Sequence, residues 1–142
     1  KEIYSLMLSL LEEDLHRPES LTSPDLTTQY LHLKLANLEH EVFSLIYLDI
    51  KNQVLAFEDM FRGTVDGVSV HVREVVKGSL KHNAAAVILV HAHPAGIPEP
   101  SRSDIHITKK IKQALELVDI EVLDHIIFGG ANSVSMAEQG LI

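Results

Sequence analysis

Residues 84–104 read AAAVILVHAHPAGIPEPSRSD. Ala84 to Val90 is an unbroken apolar run, too short for a buried helix and of the length of a strand covered on both faces. At its end His91 and His93 stand at i and i+2, and the two-residue period of a strand sends both imidazoles to the same side. Pro94, Gly96, Pro98 and Pro100 then break the chain, and Ser101 is placed to cap a helix from about Arg102 to Val118. Asp104 falls in the first turn of that helix, on the stripe shared with Ile107, Thr108, Ile111 and Leu115, so its carboxylate is expected to face inward.

On either side the pattern is that of an α/β domain. Val42–Leu48 and Val54–Phe61 flank the polar loop Asp49–Gln53 and predict a hairpin. Val72, Val75, Val76 and Leu80 recur at helical spacing, so a strand, helix, strand order with a right-handed crossover leads into the run at Ala84. Glu121–Phe128 predicts a further strand stopped by Gly129 and Gly130. Upstream, Ile3, Leu6, Met7, Leu10 and Leu11 mark one helix ended near His16, Arg17 and Pro18. Ser23 and Pro24 open a second helix through Tyr30, Leu33 and Leu38. The expected architecture is a mixed β-sheet flanked by helices. Residues 1–25 read as an N-terminal helix and linker, and residues 26–142 as the domain.

With 142 residues and 46% apolar composition the chain can bury a single core. It has no cysteine, which removes disulfides and thiolate metal sites, and no signal or membrane-spanning pattern opens it, so a cytoplasmic protein without membrane insertion is expected. A chain that opens on Lys1 is expected to be a fragment with an N-terminal region missing. The net charge of -8 is concentrated toward the N-terminus, where residues 1–41 hold three basic and eight acidic side chains. That balance weighs against phosphate gripping by electrostatics alone, although Arg102, Lys109, Lys110 and Lys112 could gather into a local patch.

Two imidazoles and one carboxylate, from His91, His93 and Asp104, make a three-ligand set that leaves a fourth position for water, as a catalytic zinc (Zn2+) site requires. Such chemistry also needs a carboxylate to move the proton of that water. Glu58 is assigned that role because its strand lies beside the elements leading to His91, where it is expected to face the same way as Val54 and Ala56. Asp59 faces the other way, and Glu74 is the weaker candidate because its helix points it to solvent. A plainer reading stands beside this one: Ser101 and Asp104 form an S-x-x-D capping box that accounts for both without any metal. Both roles coexist if one Asp104 oxygen serves the cap and the other the ion. Asp124 and His125 alternate across their strand, so at least one is buried and needs a hydrogen-bond partner.

His91-Ala92-His93-Pro94, six residues, Ser101, two residues and Asp104 together resemble the H-x-H-P-x6-S-x-x-D pattern of the JAMM, or MPN-plus, metalloproteases. Arg62-Gly63-Thr64, Arg73-Glu74-Val75, Asn83-Ala84, Pro98 to Asp104 and Asp124-His125-Ile126-Ile127 make the chain similar to the bacterial RadC-like branch, a family named for DNA repair, from about residue 26 onward. The resemblance implies a cytidine deaminase-like fold, zinc on His91, His93 and Asp104, Glu58 as general acid and base, and Ser101 assisting the oxyanion. Ala92 and Ala95 depart from the asparagine and serine usual in that branch, and neither removes a ligand. Full-length relatives carry a region resembling helix-hairpin-helix DNA-binding modules, of which residues 1–22 are a remnant or a linker.

The activity so implied is hydrolysis of peptide or isopeptide bonds in a peptide or protein substrate. The alternatives are a DNA-repair module or metal-dependent nuclease, reaching DNA through the missing region or a partner, and a metal-binding interaction domain without turnover. A zinc nucleoside deaminase is excluded, since its P-C-x-x-C half needs cysteines.

Overall fold

A computed structural model describes residues 40–63, 69–93, 98–129 and 132–142. The helices expected over residues 3–16 and 24–38, and the boundary at residue 25, lie outside the described residues. Five strands form one mixed sheet in the order β2-β1-β3-β4-β5, with β1 Val42–Leu48, β2 Val54–Arg62, β3 Ala86–His93, β4 Glu121–Gly129 and β5 Asn132–Ser135. Two described helices, α1 Val72–Lys81 and α2 Arg102–Glu116, connect β2 to β3 and β3 to β4. No helix among the described residues is long and apolar enough to cross a membrane.

β1 is buried at every position because it has a strand on each side, β2 and β3, both antiparallel to it. Its odd residues Phe43, Leu45 and Tyr47 pack with Val87, Leu89, Val75, Ile111 and Leu115 on the face that carries both helices. Its even residues Ile46 and Leu48 join Ile88, Val90, Ala92 and Phe128 in a second cluster on the opposite face. β3 is apolar on both faces for the same reason, as its unbroken Ala86–Val90 run requires.

The hairpin turn is closed by the Asp49 carboxylate, which accepts the backbone N–H groups of Lys51 and Gln53 at 2.8 and 2.9 Å. Both helices stop in the same way. Asn83 and Asp119 adopt left-handed backbone angles, and the next N–H groups, of Ala84 and Ile120, reach back to the carbonyls of Ser79 and Leu115, the Schellman closure. Each stop delivers the chain directly into a strand, β3 or β4. The strand at Glu121 meets expectation, whereas β5 has no apolar run to announce it. Register shifts flank the β1 and β2 pairing between Phe43 and Ser44 and between Tyr47 and Leu48. The second separates Ala56, which packs on the helical face, from Val54, which packs on the other, where simple alternation had put both together.

α1 comes close to β1 at Gly78, where an added Cβ would run into the Tyr47 hydroxyl. That ring is fully buried, so the hydroxyl cannot swing clear. Gly78→Ala is expected to lose roughly 1–3 kcal/mol to overpacking against a helix-propensity gain of about 1 kcal/mol, a net destabilisation. Removing the hydroxyl should relieve the clash, so a double-mutant cycle with Tyr47→Phe, followed by denaturant unfolding, should give a double variant more stable than the sum of the single changes allows. Additive losses would mean that the helix and strand contact is set elsewhere.

Candidate metal centre

The two-residue alternation of β3 puts His91 and His93 on the helical face at the end of the strand, where the rings stand edge to face with centroids 4.5 Å apart. Antiparallel pairing then decides what else is there. Val42 pairs with Ala92 and Phe43 with His91, so the residue just ahead of β1, Glu41, arrives beside the histidines. Its Oε1 lies 3.7 Å from His93 Nε2 and its Oε2 4.0 Å from His91 Nε2.

The start of α2 closes the other side. Asp104 Oδ1 is 2.6 Å from His91 Nδ1, while Oδ2 accepts the Ser101 backbone N–H at 2.8 Å and the Ser101 hydroxyl at 2.9 Å. The Asp104 N–H donates to Ser101 Oγ at 3.0 Å, completing a capping box. The two carboxylate oxygens therefore divide, Oδ2 to the cap and Oδ1 to His91, where the expectation from sequence gives the second oxygen to an ion. Burial alone would raise the Asp104 carboxyl, but hydrogen bonds from His91 and from the Ser101 backbone and hydroxyl, with the His91 charge, hold it well below the usual carboxylate range. The bond to Asp104 orients the His91 ring so that its other nitrogen, Nε2, lies toward Glu41.

Behind Asp104, the Thr108 hydroxyl donates to the Asp104 carbonyl at 2.6 Å and lies 2.5 Å from His125 Nδ1. His125 is 0% exposed, edge-on to the Phe43 ring. Burial pushes its imidazole down to about 3, with Asp104 opposing and the nearby His91 and His93 adding to the shift. A cleft of about 530 Å3 opens in front, lined by Glu41, Val70, His91, His93, Ser101 and Ile107 among others.

The donor chemistry fits a zinc ion. His91 Nε2 and Glu41 Oε2 are buried atoms with no hydrogen-bond partner, and they face one another. Ligand atoms of Glu41, His91 and His93 all lie within 4.8 Å of one another, as do those of His91, Asp104 and His125. These are the nitrogen and oxygen donors that zinc accepts. His91 belongs to both groups, with Nε2 toward Glu41 and Nδ1 toward Asp104, and the expected set of His91, His93 and Asp104 is divided between them.

Of the residues singled out in the sequence, His91, His93, Asp104 and Ser101 gather at this end of the sheet, and Glu58 does not. Glu58 pairs with Leu45, one step further from the end of β1 than Phe43, the partner of His91. Its carboxylate accepts the Tyr47 hydroxyl at 2.8 Å and lies 3.7 Å from His82 Nε2. β2 is separated from β3 by β1, so Glu58 does not reach the histidines, and the residue just ahead of β1 supplies the neighbouring acid. An acidic residue opening a strand antiparallel to the H-x-H strand was the available signal. Glu74 is exposed on α1. Asp124 accepts the N–H groups of His125 and Ala137 and the Ser135 hydroxyl, tying β4 to β5 and the turn that follows.

A mixed sheet with helices on one face and a cluster of histidines and carboxylates at the strand ends defines an α/β domain of the JAB/MPN type. The model of the RadC-like JAB domain family matches residues 21–141, and the chain belongs to that family. It is 56% identical over 132 residues to a UPF0758 protein of Nitrosococcus oceani, a match covering 93% of this chain and 59% of the relative. It is 53% identical over 130 residues to one of Azotobacter vinelandii, covering 92% and 58%. A UPF0758 protein of Vibrio cholerae is 50% identical over 131 residues, covering 92% and 82%. The chain thus spans about three fifths of the first two relatives. Their names state no activity.

The lowered Asp104 carboxyl has a consequence for stability in acid. Its contribution is complete above the unfolded value of 3.8 and is lost as pH falls through the folded value. In zinc-free protein, denaturant midpoints followed from about pH 6 to about pH 2 should fall less steeply for Asp104→Asn than for the unsubstituted chain. Parallel curves would mean that the His91 and Ser101 contacts do not favour the ionised form.

Proposed function

We propose that this domain is a zinc-dependent hydrolase of peptide or isopeptide bonds in which His91, His93 and Asp104 hold the metal and Glu41, in place of Glu58, is the general acid and base. The observation that carries the reading is the pair of unpartnered buried atoms, His91 Nε2 and Glu41 Oε2, 4.0 Å apart at the head of the cleft. A zinc ion on the histidine side of that pair would polarise the substrate carbonyl and acidify a water beside Glu41.

The two carboxylates suit different tasks. Asp104 is fixed by three hydrogen bonds and held ionised, which suits a ligand and disqualifies it as a proton carrier. Glu41 has an oxygen without a partner and opens onto the cleft, so it can take a proton from water and pass it to the leaving amine. Ser101 spends its hydroxyl proton on Asp104 Oδ2. That oxygen keeps the Ser101 backbone N–H when the hydroxyl turns, which frees Ser101 to donate to an oxyanion in the cleft. The nuclease alternative draws no support from the cleft, whose lining among the described residues includes no Lys or Arg.

Purified protein is expected to carry about one zinc by mass spectrometry and to lose it in His91→Ala. Glu41→Gln should keep the metal and lose roughly 100 to 10,000-fold in turnover of a peptide-library substrate, while Glu58→Gln keeps both. Turnover in Glu41→Gln within about tenfold of the unsubstituted protein would remove Glu41 from the chemistry.

A further inference from the structure

Thr108 and His125 take no part in that chemistry, and both are locally unfavourable choices. Thr108 is a β-branched residue inside α2 whose hydroxyl bonds back to the carbonyl four residues earlier, an arrangement that slightly destabilises helices. His125 buries a whole imidazole whose Nε2 has no partner, where an aliphatic side chain would cost nothing in desolvation. A core that keeps two such groups in contact, directly behind a candidate ligand, departs from local optimisation in the way functional sites do.

We propose that the Thr108 and His125 pair positions Asp104 for metal binding, an inference that rests on Asp104 being a ligand. The Thr108 hydroxyl donates to the Asp104 carbonyl, so the neutral His125 ring turns its Nδ1–H to Thr108 Oγ. A donor chain runs from His125 through Thr108 to the backbone of Asp104.

The first bond of that chain leaves the helix. Ser101, Asp104 and Thr108 belong to α2 and its cap, so their mutual bonds shape the helix end without fixing its height above the sheet. His125 belongs to β4, which runs parallel to β3 with Leu89 opposite His125 and Ile127 opposite His91. His125 and His91 thus stand one alternation step apart on adjacent strands of one sheet, and their rings lie nearly parallel with centroids 6.4 Å apart. Among the described residues, the side-chain hydrogen bonds from α2 to a strand are those of Asp104 to His91 and of Thr108 to His125. The second sets the spacing at which the first, and any ligand distance from Asp104, is made.

The test compares zinc affinity with zinc-free stability, using competition titration with a chromophoric chelator and denaturant unfolding of chelator-treated protein. Thr108→Val strands the His125 N–H, so both affinity and stability should fall, the affinity by about 10 to 100-fold. Thr108→Ser should restore both. In Thr108→Val with His125→Leu no buried donor is stranded, so stability should recover, while zinc affinity stays weakened by the same factor. Affinity that recovers together with stability in the double variant, or that never changes in Thr108→Val, would overturn the inference and reduce the pair to packing. An unsubstituted protein that takes up no zinc would fail earlier, overturning the metal reading itself and this inference with it.

Discussion

The antiparallel ladder between β1 and β3 governs the rest of the molecule. β1 is buried at all of its positions, and a strand in that situation must have its backbone paired on both sides and its side chains covered on both faces. A one-residue slip of the ladder would exchange the two core clusters face for face. The register that avoids this sets Phe43 opposite His91, and it brings Glu41 to the histidines without any contact of its own needing to be strong.

Among the described residues, the elements marked by local spacing are present, and the expectations that fail are those set by distant pairing. The H-x-H strand, the helix begun by Ser101 and the inward face of Asp104 all follow from spacing within a single stretch, and each is present. The strand that ends in H-x-H runs on to His93, beyond the apolar run itself, because the alternation continues with histidines on the helical side. Glu41 is set by pairing between residues far apart in the chain, which no local period encodes. The irregularity in the β1 and β2 ladder between Tyr47 and Leu48 breaks the alternation that grouped Glu58 with Val54. β5, Asn132–Ser135, is held to β4 by its ladder and by the Ser135 hydroxyl on Asp124, contacts with no apolar signature.

The cap on α2 engages one oxygen of Asp104 and leaves the other to a different partner, because a carboxylate has two oxygens with separate lone pairs. Oδ2 is committed to Ser101 and Oδ1 points at His91. The helix cap thereby becomes part of the site: the same bonds that satisfy the first turn of α2 also hold the carboxylate ionised and at a fixed orientation. Glu58, with its partners Tyr47 and His82, belongs instead to the junction of β1, β2 and α1. Burial and the Glu58 hydrogen bond both push the Tyr47 phenol upward, so it remains a donor and that junction stays a fixed support.

Buried polar atoms without partners cost roughly 1–3 kcal/mol each, and their distribution is uneven. Among the described residues they fall on His40, Glu41, His82, His91 and His125, and three of these surround Asp104 or face it across His91. Away from that end His82 Nε2 is also open, beside Glu58, whereas Ser44 is satisfied by Asp59 and Ser79 by the Val75 carbonyl. The cluster at the end of the sheet retains free lone pairs where two imidazoles and a carboxylate already converge. A cation would remove that local cost on binding, so metal affinity and folding stability draw on the same atoms.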